Sequence, residues 1–307
     1  MPWWPRAVSA VPTAADVWGP RVRRLGACAA SGLLLAVAGC GAKSPDRPEP
    51  PARAPEPAQA IPRTPRSLAA ALDATTASLH EAIDRWRRDG HPSRGPTPRG
   101  VTAYALYQQR IYLFLGRRPG LAAKVRSRLR GDARGDAADL LSARRALDRL
   151  NGTTRRRRFR TGRALPPDVL RGYYRGAERR FGVAWEVLAA VNFVETGFNK
   201  IRSASSAGAQ GPMQFIPATW RAYGMGGDIR DPRDAIMGAA NYLRASGARR
   251  SYRRALYAYN PSPLYVRAVS HYARRLRVSR QAFYALHSWQ IFVRTPSGVR
   301  RLTGPGL

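Results

Sequence analysis

The chain has 307 residues and a formal charge of +34, from 53 Lys+Arg against 19 Asp+Glu, and all but three of the basic residues are arginine. With 44% apolar residues it can bury a core despite that charge, which excludes a disordered polycation. Its two cysteines, Cys28 and Cys40, both lie in the first 40 residues, so no disulfide framework can organise the rest, and with four histidines a zinc site is not expected.

Arg21, Arg23 and Arg24 precede an apolar run from Leu25 to Gly39, too short for a membrane-spanning helix of roughly 20 residues. A basic start, a short apolar centre and small residues before a cut describe an export signal over 1–39. Val37-Ala38-Gly39-Cys40 resembles a bacterial lipobox, which implies cleavage before Cys40 and a lipid on its sulfur. The alternatives are an uncleaved anchor or an ordinary secretory signal. The chain is therefore expected on the outer face of the bacterial cell membrane, facing the wall. There nucleic acid is not the expected partner. Lipid headgroups, wall phosphates and wall-peptide carboxylates are all anionic and could each hold a polycation.

Residues 40–66 are crowded with Pro, Ala and charge and read as an extended tether. Leu68, Leu72, Leu79, Ile83 and Trp86 then recur at helical spacing, closed by Gly90. Further helical stretches follow at Val101–Leu115, Leu121–Leu129 and Ala137–Leu150, so 67–152 is expected to form a small helical bundle. The run Arg155-Arg156-Arg157-Arg158-Phe159-Arg160 sits in a basic connector, 153–165. Pro166-Pro167-Asp168 starts another helix, with Val169, Tyr173, Ala177 and Phe181 expected on its buried face. A largely apolar helix runs on to Thr196 with Gly197 as its cap. A loop of Ser, Ala and Gly spans 203–211. Asp231-Pro232-Arg233-Asp234 and Ser262-Pro263 start two more helices, the second along Leu264, Val266, Val269, Tyr272 and Leu276. The tail from 289 reads as a short hairpin, Gln290–Thr295 and Val299–Thr303 around Pro296-Ser297-Gly298.

Glu195 ends the apolar helix between Phe193-Val194 and Phe198. Removal from water disfavours a carboxylate, so its pKa should rise above the usual value of about 4.3. A carboxylic acid still protonated near neutral pH can give its proton to a leaving oxygen. A helix-terminal Glu can equally be a solvated capping residue, and on composition alone that reading is the commoner one.

Glu195-Thr196-Gly197-Phe198, Ser205-Ser206-Ala207-Gly208-Ala209-Gln210-Gly211-Pro212-Met213-Gln214-Phe215 through Trp220, Gly227–Ile236 and Ala258-Tyr259-Asn260-Pro261-Ser262-Pro263-Leu264-Tyr265-Val266 together resemble the lytic murein transglycosylases. The Ser-x-x-Gly-Ala loop is similar to the soluble-type domain; Gly-Pro-Met-Gln-Phe-Ile-Pro-Ala-Thr-Trp and Tyr-Asn-x-Ser-x-x-Tyr-Val are closer to the membrane-bound B type. The resemblance implies a mainly α, lysozyme-like domain over 166–288, preceded by the helical bundle and followed by the hairpin tail, 289–307. It implies cleavage of the MurNAc–GlcNAc β-1,4 bond of peptidoglycan glycan strands. Glu195 would act as single acid and base, and the muramoyl 6-hydroxyl as nucleophile. Between Glu195 and Asp228 there is no other acidic residue. Ser205, Met213, Gln214, Phe215, Tyr259 and Asn260 would line the substrate cleft, with Tyr259 orienting Glu195. Gly226-Gly227-Asp228 is too short and too poor in oxygen ligands for a calcium loop, so no metal and no cofactor are expected. The competing readings are a lysozyme-type hydrolase using water and a non-catalytic wall-binding scaffold.

Overall fold

The computed structural model describes residues 54–155 and 158–306. The expected signal segment, Cys40 and the first part of the tether lie outside them, as do Arg156 and Arg157 of the connector. Eleven helices and one hairpin make up these residues, so the protein is mainly α. In chain order they are α1 (Pro65–Asp89), α2 (Arg99–Gly116), α3 (Pro119–Arg126), α4 (Gly131–Asn151), α5 (Pro167–Phe181), α6 (Trp185–Thr196), α7 (Pro217–Tyr223), α8 (Pro232–Ala245), α9 (Tyr252–Tyr259), α10 (Pro263–Val278) and α11 (Ala282–Ser288). Strands β1 (Phe292–Thr295) and β2 (Gly298–Arg301) pair antiparallel with Thr295 opposite Gly298.

Helix starts follow their capping chemistry. Thr64, Asp231, Ser251 and Ser262 each accept a first-turn backbone N–H, and Pro65, Pro232 and Pro263 follow three of these caps where a missing N–H costs nothing. On α1 all five residues of the expected apolar stripe are buried. On α5 the buried face is Leu170, Tyr174, Ala177 and Phe181, so Val169 and Tyr173 are only half-buried and the expected stripe is displaced by one residue. On α10 four of the five expected residues, Val266, Val269, Tyr272 and Leu276, are buried, and at its start Tyr265 is fully buried while Leu264 is half-buried. The short helices α7, α9 and α11 carry no sequence stripe long enough to declare themselves.

α4 and α10 lie side by side, and α10 also packs on α6 and α9. Leu140 and Leu141 of α4, Leu188 of α6 and Val269 of α10 belong to one hydrophobic cluster that runs from α1 to α11. Charged groups are buried along the α4–α10 seam. Asp136 lies 3.0 Å from the Arg275 Nε and 3.8 Å from His80 of α1, while Asp139 accepts from His271 and Arg274. The residues leading into α1 are seated on α2, where Tyr107 donates to the Ala60 carbonyl and Arg110 to the carbonyls of Pro57 and Gln59. The second half of the connector runs beside the chain that follows α6. Gly162 N–H donates to the Lys200 carbonyl, Arg202 N–H to that of Arg160, and Arg160 N–H to the Ser203 hydroxyl. Lys200 is itself buried and donates to the carbonyls of His287 and Trp289, fastening the end of α11 beneath α6. Burial lowers its ammonium pKa to about 7. No described helix is long and apolar enough to cross a membrane.

Candidate active site

The site is assembled at the C-terminal end of α6. This helix is apolar nearly all round, so it is buried on every side and its terminal residues are drawn into the core with it. Gly197 ends it in a left-handed conformation, φ 60°, and a Cβ there would meet the Ile291 Cδ1 at 2.4 Å. Glu195 consequently sits inside the protein at 3% exposure. Burial pushes its carboxyl up to about 8, and the Tyr265 hydroxyl, which donates to the Glu195 Oε1 at 2.8 Å, works in the opposite direction.

The loop between α6 and α7 folds over this carboxyl and is clamped at several points. Asn192, one turn before Glu195, accepts from Tyr174 at 2.9 Å and donates to the Pro212 carbonyl at 3.0 Å. Thr196 donates to the same carbonyl at 2.7 Å. Gln210 and Phe215 exchange a reciprocal pair of backbone hydrogen bonds, both 2.9 Å, which closes the loop on itself. Met213 is fully buried, and its carbonyl accepts from the Tyr259 hydroxyl at 2.6 Å. The Phe215 ring packs edge-on between Trp220 and Tyr259.

Gly211 is the point of closest approach: with φ +74°, a Cβ there would lie 1.8 Å from the Ile229 carbonyl oxygen. Backbone cannot yield as a flexible side chain does, so Gly211→Ala is expected to lower stability by about 2–3 kcal/mol, read by chemical denaturation, and to misplace Met213 and Gln214.

The structure brings Met213, Phe215 and Tyr259 together and links them through Tyr265 to Glu195, with some roles redistributed. Tyr265, not Tyr259, holds the carboxyl; Tyr259 stacks parallel to Tyr265, with ring centroids 6.3 Å apart and planes 2° apart. Ser205 spends its hydroxyl on its own loop, accepting from the N–H groups of Ala207 and Ala209. Gln214 takes a left-handed conformation, φ 49°, and its amide donates to the Gly211 carbonyl. Asn260 is completely buried, and neither atom of its amide has a partner among the described residues. Tyr265, Asn192 and Thr196 were not singled out by sequence reasoning. The signal for Tyr265 is present in the spacing of α10, since 265, 269, 272 and 276 form its best helical stripe.

A lane of tyrosines leads to this carboxyl. Tyr223 and Tyr242, both half-buried, lie 4.8 Å apart, and Tyr242 lies 5.7 Å from Tyr259, which stacks on Tyr265. Among the described residues no three His, Cys, Asp or Glu side chains are grouped to hold a metal ion.

Residues 172–279 match the family model for the transglycosylase SLT domain. The chain carries an SLT domain. That likeness covers about a third of the chain and supports a lytic transglycosylase. The match spans from the first half of α5 to the cap of α10, and so includes Glu195, the 203–216 loop, Tyr259 and Tyr265. α1 to α4, α11 and the hairpin lie outside the matched SLT domain, and α1 to α4 and α11 share its core. No curated protein and no solved structure matches the chain.

Proposed function

We propose that the protein is a peptidoglycan lytic transglycosylase in which Glu195 is the sole general acid and base. The observation that carries this reading is the buried carboxyl of Glu195, held by a phenol, with its pKa pushed up to about 8 by burial. Such a group is an acid at neutral pH and can protonate the glycosidic oxygen that leaves from the MurNAc anomeric carbon. As that bond breaks, the muramoyl 6-hydroxyl attacks the anomeric carbon and forms the 1,6-anhydro ring. The hydroxyl proton passes to the newly formed Glu195 carboxylate, which restores the starting state. A nucleophile carried by the substrate needs no second carboxylate, in contrast to most glycosidases. The tyrosine lane and the clamped loop with Gln214, Met213 and Phe215 support the placement of glycan along this face. Ser205 and Asn260 are assigned to the same wall.

Localisation follows the sequence: we assign the chain to the cell envelope, exported and held to the membrane by a lipid on Cys40. Metabolic labelling with a fatty-acid precursor tests this, with loss of label in Cys40→Ala as the expected outcome.

The activity is tested by mass analysis of products released from purified peptidoglycan. Anhydromuramoyl ends are expected. Reducing muramic acid ends would identify a hydrolase, and absence of product from active preparations would favour a scaffold. The pH profile gives an independent reading. The acid must be protonated when substrate binds, so kcat/KM is expected to fall as pH rises through about 8. Tyr265→Phe removes the hydrogen bond that favours the carboxylate, so this alkaline limb is expected to move to higher pH while overall activity drops.

A further inference from the structure

Asp234 is the last acidic side chain of the chain, and the 73 residues after it carry 13 arginines and no Asp or Glu. Three of these arginines gather on one groove. Arg253, Arg254 and Tyr257 of α9 face Pro263, Val266 and Arg267 of α10 across an open space of about 670 Å³. All three arginines are exposed, and none has a carboxylate partner among the described residues. Tyr257 is 48% exposed, although the neighbouring α9 residues Ala255 and Leu256 are buried. The groove is distinct from the glutamate site. Tyr257 is two positions from Tyr259 and Arg267 two from Tyr265, which is roughly 200° around each helix.

We propose that this groove binds a phosphodiester-linked sugar or polyol polymer of the cell wall. Guanidinium groups pair with phosphate oxygens through two parallel hydrogen bonds and are weakly hydrated, so they give up little on contact. Three of them with no carboxylate partner form a field that a polyanion, with several charges on one chain, neutralises in place of separate small counterions. Wall peptides carry amines beside their carboxylates, whereas a phosphodiester backbone offers negative charge at every repeat. The exposed Tyr257 ring adds an apolar face with a polar tip, suited to a sugar or polyol between phosphates. The proposal rests on the wall-acting reading above and gives the enzyme a second hold on its matrix.

The test is co-sedimentation of the full chain with purified cell wall, before and after the phosphodiester polymers are stripped with hydrofluoric acid. The groove variant, Arg253→Ala/Arg254→Ala/Arg267→Ala, is compared with Arg88→Ala/Arg126→Ala/Arg134→Ala, which removes the same charge from exposed positions on α1, α3 and α4. Stripping and the groove variant are each expected to lower retention at least tenfold without adding to one another, and the comparison variant less than twofold. Tyr257→Ala, with charge unchanged, is expected to lower it severalfold. Equal loss in both triple variants would overturn the proposal in favour of diffuse attraction. Retention that survives stripping would overturn it in favour of wall peptides or glycan. Muropeptide release from stripped wall is read in parallel: release with phosphate-independent retention defeats only this proposal, and phosphate-dependent retention without release defeats only the enzymatic reading.

Discussion

Glu195→Gln is expected to abolish product release, by about 10²–10⁴-fold or more, while making the protein more stable at pH 7. Both effects have one origin. The native carboxyl keeps its proton up to about 8, whereas the unfolded one loses it near 4.5. Between those values the unfolded chain gains stability from ionising and the folded chain does not, so stability falls as pH rises across that window. At pH 7, some 2.5 units above 4.5, this amounts to about 3 kcal/mol, at one pH unit per ~1.4 kcal/mol. Glutamine cannot ionise, and its carbonyl can still accept from Tyr265. The variant should therefore melt several degrees higher than the parent at pH 7, and the gap should close towards pH 4. Equal melting temperatures at pH 7 would mean that Glu195 is ionised in the folded protein and unsuited to the role of acid.

Arg275→Met is expected to destabilise the protein by about 2–4 kcal/mol at pH 7, a fall in melting temperature of roughly 5–15 °C. Arg275 and Asp136 are both largely buried and lie 3.0 Å apart, as an ion pair whose atoms are not aligned for a hydrogen bond. Burial already raises the Asp136 pKa, with Arg275 and then His80 opposing the shift. Removal of the guanidinium leaves a buried carboxylate without its ion-pair partner, with the His80 ring 3.8 Å away. Because protonation relieves that cost, the loss should shrink as pH is lowered towards 4. The double variant Asp136→Leu/Arg275→Met removes both charges and should recover most of the stability. A double variant as unstable as the single one would show that packing of the Arg275 stem, and not its charge, holds α4 to α10.

The order of the helices was legible in the sequence because their ends carry strong local chemistry. Asp231 and Ser262, each followed by proline, cap the helices that follow them, and Gly197 ends α6, whereas Thr64 and Pro65 start α1 inside the stretch read as tether. Helix faces were legible only where the spacing stayed true. An α-helix turns 100° per residue, so the series 169, 173, 177, 181 drifts by 40° at each step, whereas 170, 174, 177, 181 stays over one stripe. On α10 the expected residues from Val266 to Leu276 are buried, but the series passed over Tyr265, the phenol that touches Glu195. Glu195 itself was legible from its apolar surroundings and from motif order. The clamps were not, because Asn192 and Thr196 act through contacts with Pro212, across 20 and 16 positions of chain. Ser205 has a local role that the motif does not announce. It falls in a matching motif, yet its hydroxyl is engaged by the turn that holds it.

The core shared by α4 and α10 bears on how this protein would survive cutting. Its connector contains the sequence Arg155 to Arg158, which trypsin-like proteases recognise. A nick there would separate α1–α4 from the SLT domain covalently but leave the seam of Leu140, Val269, Asp139 and Arg274 in place. The two fragments would behave as complementing halves, each needing the other to cover its apolar face. The nicked enzyme would then remain assembled, while either half made alone would aggregate.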